Sequence, residues 1–170
     1  MIYKIRKARA VDAKAIAKVH VRSWRETYKD IVDNEYLKNL SIPARTKKWE
    51  ESLKKPEQNN WTFLVEDSIG KVVGFITGGI GENEAELYAI YILKKHQKNN
   101  LGYRLTKKLC YSFIKHGVKS MFVCVLKDNS SKNFYTKHGA KLFKTDRVKI
   151  GNKTLIEEYF RFENFDSFQK

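Results

Sequence analysis

The sequence has few of the residues and segments that would assign it to several large classes of protein. Among its 170 residues only two are cysteines, Cys110 and Cys124, and only two are prolines. Both cysteines lie in apolar segments, so we expect two buried thiols rather than a disulfide, and no histidine motif accompanies them to suggest a metal site. No uncharged run approaches the length that crosses a bilayer, and the charged, alternating start MIYKIRKARA is not typical of a signal peptide. These absences predict a soluble cytoplasmic protein that uses neither a metal nor a membrane.

Acidic residues are scarce relative to basic ones. The chain contains 34 Lys and Arg against 19 Asp and Glu, which gives a formal net charge of +15. Such a charge predicts attraction to anions, whether nucleic acid, a phosphorylated cofactor or acidic lipid. The basic residues are mixed with acids and form no basic tail or arginine-rich block, which weakens the nucleic-acid interpretation but leaves it open.

The length and the hydrophobic pattern predict a single domain over residues 1–170 with mixed secondary structure. An N-terminal strand is followed by Asp12, a candidate N-cap, and by a helix at amphipathic spacing. A second helical region breaks near Pro43 and resumes. Three strands follow, then an amphipathic helix from Leu101 to near Gly117, a strand, a short helix and two last strands. This order predicts a mixed α+β domain.

The stretch HQKNNLGYRL, residues 96–105, joins an apolar strand pattern to the amphipathic helix. A helix start presents free backbone N–H groups and the positive end of the helix dipole, and therefore attracts anions. Gly102 would let a ligand touch the backbone, and Asn100 tolerates left-handed geometry better than most residues. The two standard nucleotide signatures, G-x-x-x-x-G-K-[ST] and G-x-G-x-x-G between strand and helix, are absent. On composition alone, an ordinary strand-to-helix turn is the better-supported interpretation.

Three segments resemble the GNAT superfamily of acetyl-CoA-dependent N-acetyltransferases. ELYAIYILKKHQKNNLGYRLTKKL is similar to the family's central motif of a strand, Gln/Arg-x-x-Gly-x-Gly/Ala and a helix, with Gln97 and Gly102 at its ends and Asn100 in place of the first glycine. VLKDNSSKNFYTKHGAKLF resembles the segment Asn-x-x-x-x-Phe-Tyr-x-x-x-Gly, and AIAKVHVRSWRETYKDIV resembles a bacterial subgroup that reads His-x-x-Ser-Trp-Arg-x-x-Tyr. The resemblance covers nearly the whole chain. It implies a GNAT-like twisted, mostly antiparallel sheet of six to seven strands with about four helices.

The resemblance also implies a cofactor site for acetyl-CoA at the end of the fourth strand. Backbone amides of residues 90–92 are expected to hold the thioester carbonyl and pantetheine, and those of residues 98–103 the pyrophosphate. Asn129 is expected to hydrogen-bond the cofactor arm, with a helix N-cap as the alternative. The cofactor-binding set is therefore Ile90, Tyr91, Ile92, Gln97, Lys98, Asn99, Asn100, Leu101, Gly102, Tyr103, Asn129 and Tyr135.

Acetyl transfer from a thioester needs a neutral amine, donors for the developing oxyanion and an acid for the departing thiolate. The resemblance places Tyr135 at the position of the general acid, and packing beside Phe134 in the core is the alternative. Glu86 is the candidate base, with Glu82 and Glu84 as competitors and a water chain as the alternative to any single base. Because no cysteine is expected in the implied site, direct attack in a ternary complex is predicted.

The acceptor pocket is expected on the first helices, where Trp24, Tyr28 and Tyr36 are the candidate substrate-binding residues. At helical spacing such aromatic residues lie more often in the core than in a pocket. His20, behind them, is weighed as a proton relay against a satisfied buried histidine. The sequence shows no clear acidic cage for a polyamine, and the acceptor stays open between a small primary amine and a peptide or protein amino group.

The sequence thus predicts an N-acetyltransferase, with no nucleic acid among its partners and a homodimer through the last strands as an option. Two alternatives stay open: a non-catalytic acyl-CoA-binding sensor of the same fold, and a basic nucleic-acid-binding module.

Overall fold

A computed structural model describes residues 2–54, 59–82 and 84–169 of the chain. The elements, in chain order, are β1 Lys4–Lys7, α1 Ala13–Thr27, α2 Asn34–Lys38, α3 Ile42–Lys54, β2 Asn60–Glu66, β3 Val72–Ile80, β4 Ala85–Ile92, α4 Leu101–Lys115, β5 Met121–Leu126, α5 Lys132–Lys137, β6 Lys141–Ile150 and β7 Lys153–Phe162. The seven strands form one sheet in the order β1-β2-β3-β4-β5-β7-β6. All neighbouring strands are antiparallel except β4 and β5, which are parallel. The predicted mixed fold with a mostly antiparallel sheet is confirmed, with five α-helices instead of about four.

Helices cover both faces of the sheet and bury a separate core on each. Leu105, Leu109 and Phe113 recur every fourth residue along α4 and are fully buried against one face. On the opposite face, α1 packs Ile16 against Phe75 of β3, together with residues of α3. The sheet is therefore held between two layers. Among the described helices, none is long and apolar enough to cross a membrane.

The parallel pairing of β4 with β5 is short. Only residues 85–87 of β4 pair with residues 121–123 of β5, although β4 continues to Ile92 while paired with β3. Among the described residues, the segment 89–92 of β4 does not pair with β5. The two strands consequently diverge, and the sheet opens at its centre.

Of two local expectations about the first helices, one is wrong and one is confirmed. Asp12 does not cap α1, because its carboxylate accepts hydrogen bonds at 2.7 and 2.8 Å from the guanidinium of Arg6 and one at 2.8 Å from the backbone of Arg9. Arg6 holds the pKa of Asp12 below its usual value. The predicted break near Pro43 is present, since α2 ends at Lys38 and α3 begins at Ile42 with the proline in its first turn, where the missing N–H has no helical acceptor.

The turn before α4 passes through left-handed backbone conformations at two residues other than glycine. Lys98 has φ of 61° and Asn100, the residue before the helix, has φ of 57° and ψ of 15°. The expectation that Asn100 accommodates a positive φ is confirmed. Asparagine is among the few non-glycine residues that adopt this region at low cost, so the substitution at the motif glycine leaves the turn intact.

We predict that Asn100→Val unfolds at a lower urea concentration than Asn100→Gly, with a difference of about 1–2 kcal/mol in the free energy of unfolding. A β-branched side chain clashes with the backbone at positive φ, whereas glycine does not. Asn39, which is exposed at the end of α2 with φ of −78°, provides the matched control. The valine and glycine variants at Asn39 should differ by much less. Equal midpoints for the two Asn100 variants would contradict the left-handed turn.

Candidate active site

The diverging ends of β4 and β5 enclose a cleft with two adjoining parts. The inner chamber, of about 110 Å³, is bordered by Ser23, Tyr28 and Cys124, and the outer groove, of about 550 Å³, by Lys94, Lys98 and Gly102. Residues that line both parts are Thr27, Ile90, Ile92, Gln97, Asn129, Ser131 and Tyr135. The sequence therefore brings the end of β4, the start of α4 and the start of α5 to one opening.

A row of backbone donors borders the outer groove at its two ends, Lys98 and Gly102. The N–H groups of residues 98–102 have no hydrogen-bond acceptor in the part of the chain that the structure describes, and the first helical bond of α4 runs from Arg104 N to Asn100 O at 3.1 Å. Unsatisfied N–H groups at a helix start carry the positive end of the helix dipole. With the ammonium groups of Lys94 and Lys98 beside them, these donors form a ready anion site.

Side chains of the turn hold this row of donors in place. Gln97 Nε2 donates to Ile92 O at the end of β4 over 2.9 Å, and Asn99 Nδ2 donates to the carbonyls of His96 and Gln97 at 3.1 and 3.0 Å. A Cβ on Gly102 would meet only the Phe134 ring at 3.6 Å and Ile92 at 3.9 Å. The fold itself therefore leaves room for a side chain here, and the glycine keeps the backbone open to the groove.

The structure brings together most, but not all, of the residues predicted to bind a cofactor. Those lining the cleft are Ile90, Tyr91, Ile92, Gln97, Lys98, Gly102, Asn129 and Tyr135. Outside the lining are Asn99, Asn100, Leu101 and Tyr103. Leu101 is buried in the core, and Tyr103 packs its ring against those of His138 and Phe168. For these four residues the expected contact through main-chain amides stays a prediction.

Tyr135 of α5 lines both parts of the cleft and is also a core residue. It is 4% exposed and packs edge-on against Phe134 and Phe162, with ring centroids 5.5 and 6.4 Å away. Burial raises the pKa of its phenol. The two interpretations of this residue are therefore compatible, since packing fixes the ring and the hydroxyl keeps its proton at neutral pH.

Asn129 is committed to protein contacts through both ends of its side-chain amide. Its Oδ1 accepts from Ser131 N at 3.0 Å, and its Nδ2 donates to the hydroxyl of Tyr28 at 3.2 Å. The N-cap of α5 is Ser131, so Asn129 closes the preceding turn instead of capping the helix. A contact between Asn129 and a cofactor stays a prediction.

The three aromatic residues predicted for the acceptor pocket form one cluster. The ring of Trp24 lies 4.7 Å from that of Tyr28 and 5.9 Å from that of Tyr36, and its Nε1 donates to the hydroxyl of Tyr91 at 2.9 Å. Of the three, Tyr28 lines the inner chamber, while Trp24 and Tyr36 support it in the neighbouring core.

His20 is not the satisfied buried histidine that the sequence suggests. Its ring stacks on Tyr91 at 5.1 Å and is flanked by Trp49 and Phe75, and its buried Nδ1 has no hydrogen-bond partner within the described residues. Four aromatic rings surround the imidazole, and the positive charge of Arg45 also acts on it. Burial lowers the pKa of His20 to about 3, so the imidazole is neutral at physiological pH.

The expectation that no cysteine lies in the site is wrong. Cys124 is half-buried and lines the inner chamber together with Val123 and Val125, its neighbours on β5. Burial, reinforced by the nearby carboxylate of Glu157, raises the pKa of its thiol to about 12. At neutral pH the group is a protonated thiol, which is a poor nucleophile.

Glu86 lies beside the chamber and not in its lining. It pairs in register with Phe122 of β5, and burial followed by repulsion from Glu84 raises its pKa. Glu84 is itself bound by the guanidinium of Arg161 at 2.9 and 3.1 Å. Within the described ranges, no group of three or more His, Cys, Asp or Glu side chains could hold a metal ion.

Sequence reasoning missed Ser23, Cys124 and Glu157. The Oγ of Ser23 is buried in the chamber wall without a hydrogen-bond partner among the described residues, and Glu157 accepts from the hydroxyl of Tyr159 at 3.3 Å. The sequence signal for Cys124 and Glu157 is the period-two alternation along β5 and β7. That alternation shows that the two residues lie close together only when the register of the strands is known.

The comparisons with known proteins agree with this geometry. The "uncharacterized N-acetyltransferase YuaI" of Bacillus subtilis (strain 168) is 35% identical over 158 residues, which are 90% of this chain and 88% of that protein. The spermidine N(1)-acetyltransferase of Thermoplasma acidophilum is 27% identical over 149 residues, covering 86% of this chain and 92% of that one.

Among solved structures, the PaiA N-acetyltransferase from Thermoplasma acidophilum in complex with coenzyme A superimposes with a TM-score of 0.78 at 25% identity. That match covers 92% of this chain and 98% of the other. Residues 15–140 match the model of the acetyltransferase (GNAT) family. This span includes the row of amides, Asn129 and Tyr135, and the chain therefore belongs to the acetyltransferase (GNAT) family.

Proposed function

We propose that the protein transfers the acetyl group of acetyl-CoA to a primary amine by direct attack within a ternary complex. The row of backbone donors at residues 98–102, whose ends at Lys98 and Gly102 line the cleft between β4 and β5, is the observation that carries this proposal. The start of a 15-residue helix directs the positive end of its dipole to these free N–H groups, which water can solvate and an anion can bind.

The described residues fit coenzyme A along the length of the cleft. The amides of residues 98–102 and the ammonium of Lys98 suit the diphosphate, and a chain net charge of +15 favours the anionic nucleotide end. The unpaired edge of β4 at residues 90–92 can bind the amide groups of pantetheine as a strand would. Coenzyme A in the related PaiA structure supports this assignment.

The chemistry follows from what lines the inner chamber. A neutral amine attacks the thioester carbonyl, the N–C bond forms, and the C–S bond breaks with its electron pair on sulfur. Tyr135 gives its proton to that sulfur, and its buried phenol is still protonated when the thiolate leaves. The amine proton leaves through water, or through Glu86 if the carboxylate reaches the chamber by a water.

The acceptor is an amine that approaches from the side of Tyr28. The Thermoplasma relative is named for spermidine, which supports an aliphatic amine as the acceptor. Trp24 and Tyr36 stabilise the position of the Tyr28 ring from behind. Glu86 and Glu157 lie near Cys124 and place negative charge at this entrance. This local charge attracts a cationic amine, although the rest of the protein is positively charged.

Acetyl-CoA at 100 times its Kd should raise the free energy of unfolding by about 2.7 kcal/mol, or the melting temperature by roughly 5–10 °C. Gly102→Ala provides the matched variant. Its methyl fits the fold and favours the helix, so the free protein should be slightly more stable, but it obstructs the donors and should reduce the shift.

Thermal unfolding with acetyl-CoA, and with duplex oligonucleotide at physiological salt as a negative control, measures this. Free-thiol release across a panel of amines then measures turnover. The absence of any shift would overturn the cofactor site, and a shift without thiol release from any amine would identify a binding protein instead of an enzyme.

Tyr135→Phe should lower kcat by about 10²- to 10⁴-fold, because the departing thiolate loses its acid. The affinity for coenzyme A should stay within about twofold of the parent value, since the ring that packs against Phe134 is retained. Tyr111→Phe, at a half-exposed position on α4, is the control and should leave both values unchanged. An undiminished kcat in Tyr135→Phe would remove this residue from the mechanism.

Cys124→Ala should retain kcat within about threefold, and the parent protein should gain no acetyl group when incubated with acetyl-CoA alone. With a pKa of about 12, only on the order of 10⁻⁵ of the thiol is ionised at pH 7. Steady-state kinetics and intact-protein mass spectrometry check the two parts. A stable acetyl adduct on Cys124, with loss of turnover in the alanine variant, would establish a ping-pong mechanism instead.

A further inference from the structure

Tyr3, the residue before β1, contacts the turn that carries the row of backbone donors, although the two are far apart in the chain. Its hydroxyl lies 3.1 Å from Nδ1 of His96, which is 93 positions away, and its ring packs edge-on to the imidazole with ring centroids 5.9 Å apart. His96 ends the short 3₁₀ turn Lys94–His96, just before the donors. Both residues are buried, so this hydrogen bond is shielded from water.

A second bond of Tyr3 reaches the chain on the other side of the donors. Arg104 Nη2 donates to Tyr3 O at 3.1 Å. Arg104 lies in the first turn of α4, where its own backbone N–H makes the first helical hydrogen bond to Asn100 O. A single residue therefore holds the chain at position 96, before the donors at residues 98–102, and again at position 104, after them.

The turn between these two points needs such support. Lys98 has φ of 61°, and a lysine in the left-handed region costs free energy that persists only where the surroundings fix the backbone. Inside the turn, Asn99 Nδ2 donates to the carbonyls of His96 and Gln97 at 3.1 and 3.0 Å. The turn is thus tied to the backbone of His96, and the ring of His96 is tied to Tyr3.

The imidazole of His96 depends on Tyr3 for its hydrogen bonding. Its other nitrogen, Nε2, is buried and has no partner among the described residues, and the Tyr3 hydroxyl is the one partner of the ring within that part of the chain. Without that hydroxyl both ring nitrogens would be buried and unpaired, which is costly. The ring relieves this cost only by moving, and the turn moves with it.

We propose that Tyr3 is a positioning residue for coenzyme A, which holds His96 and Arg104 so that the N–H groups of residues 98–102 stay arranged for the diphosphate. This inference rests on the proposed acetyl-CoA site. Tyr3 lines neither part of the cleft, so it acts through the turn and not by touching the cofactor. It affects the affinity for the diphosphate and leaves the chemical step alone.

Tyr3→Phe tests the proposal, because it keeps the ring that packs on His96 and removes the hydroxyl. We expect the Kd for coenzyme A, measured by calorimetry, to rise about 3- to 10-fold, as for the loss of one buried hydrogen bond. At saturating acetyl-CoA, kcat should stay within about twofold of the parent. Tyr111→Phe, at a half-exposed position on α4, is the control and should change neither value. A Kd within about twofold of the parent in Tyr3→Phe would overturn the proposal, even with a lowered melting temperature.

Fragments of the cofactor locate the effect. ADP contains a diphosphate and no pantetheine, and its inhibition constant against acetyl-CoA should rise in Tyr3→Phe by the same factor as the Kd for coenzyme A. Acetylpantetheine contains the thioester and no diphosphate, and its kcat/KM should stay within about twofold of the parent. An unchanged inhibition constant for ADP, or equal losses of kcat/KM with acetylpantetheine and acetyl-CoA, would contradict a role through the turn.

His96→Leu removes the other partner of the hydrogen bond with a side chain of similar volume. It should weaken coenzyme A about as much as Tyr3→Phe does, and the double variant should bind no more weakly than either single variant, because both substitutions break the same bond. Losses that multiply in the double variant would show independent effects and contradict the proposal. If Tyr3→Phe fails to fold, an unchanged Kd in His96→Leu overturns it instead.

The outcomes separate this inference from the proposed function. If the parent protein binds no coenzyme A, the cofactor site itself is wrong and the inference falls with it. If the parent binds coenzyme A and releases thiol while Tyr3→Phe retains the parent Kd, the function stands and the role of Tyr3 is wrong. Melting temperatures of the unliganded variants establish that each Kd is measured on folded protein.

Discussion

The brief parallel contact between β4 and β5 is the constraint on which the rest of this structure depends. Three residue pairs hold the strands together, and beyond them β4 is paired on one side only. Because a parallel pair requires a crossover, α4 must begin at the end of β4 and return to the start of β5. The same connection therefore opens the sheet and places a helix start at the opening.

The donors at residues 98–102 are a consequence of that geometry and of the turn before α4. Two left-handed residues, Lys98 and Asn100, curl the chain so that successive N–H groups have no acceptor among the described residues. Asn99 and Gln97 tie the curl to its own carbonyls and to β4. The anion site is thus rigid before any ligand arrives, which lowers the entropy cost of binding.

Local features of the sequence predicted the parts of the site that local structure determines. The α4 periodicity, the open glycine at 102 and the tolerance of Asn100 for positive φ all follow from neighbouring residues. Cys124, Glu157 and the contact of Asn129 with Tyr28 depend instead on strand register and on packing between distant segments. A single sequence contains no direct record of either, so these residues could not be placed before the fold was known.

The error at Asp12 has an equally specific cause. Asp12 is a residue type that often caps helices. Its buried carboxylate is stabilised more by the ion pair with Arg6 than it would be by a hydrogen bond from a helix N–H. The residue type was informative, and the wrong one of two competing local interactions was expected.

The aromatic surroundings of the inner chamber have a consequence for how the protein responds to acidity. Desolvation moves the ionisation of Tyr28, Tyr91, Tyr135 and Cys124 to higher pH, and it moves that of His20 to about 3. These five side chains consequently keep one protonation state between about pH 5 and 8. A change in rate across that interval then reports the ionisation of the incoming nitrogen or that of Glu86, whose pKa is raised.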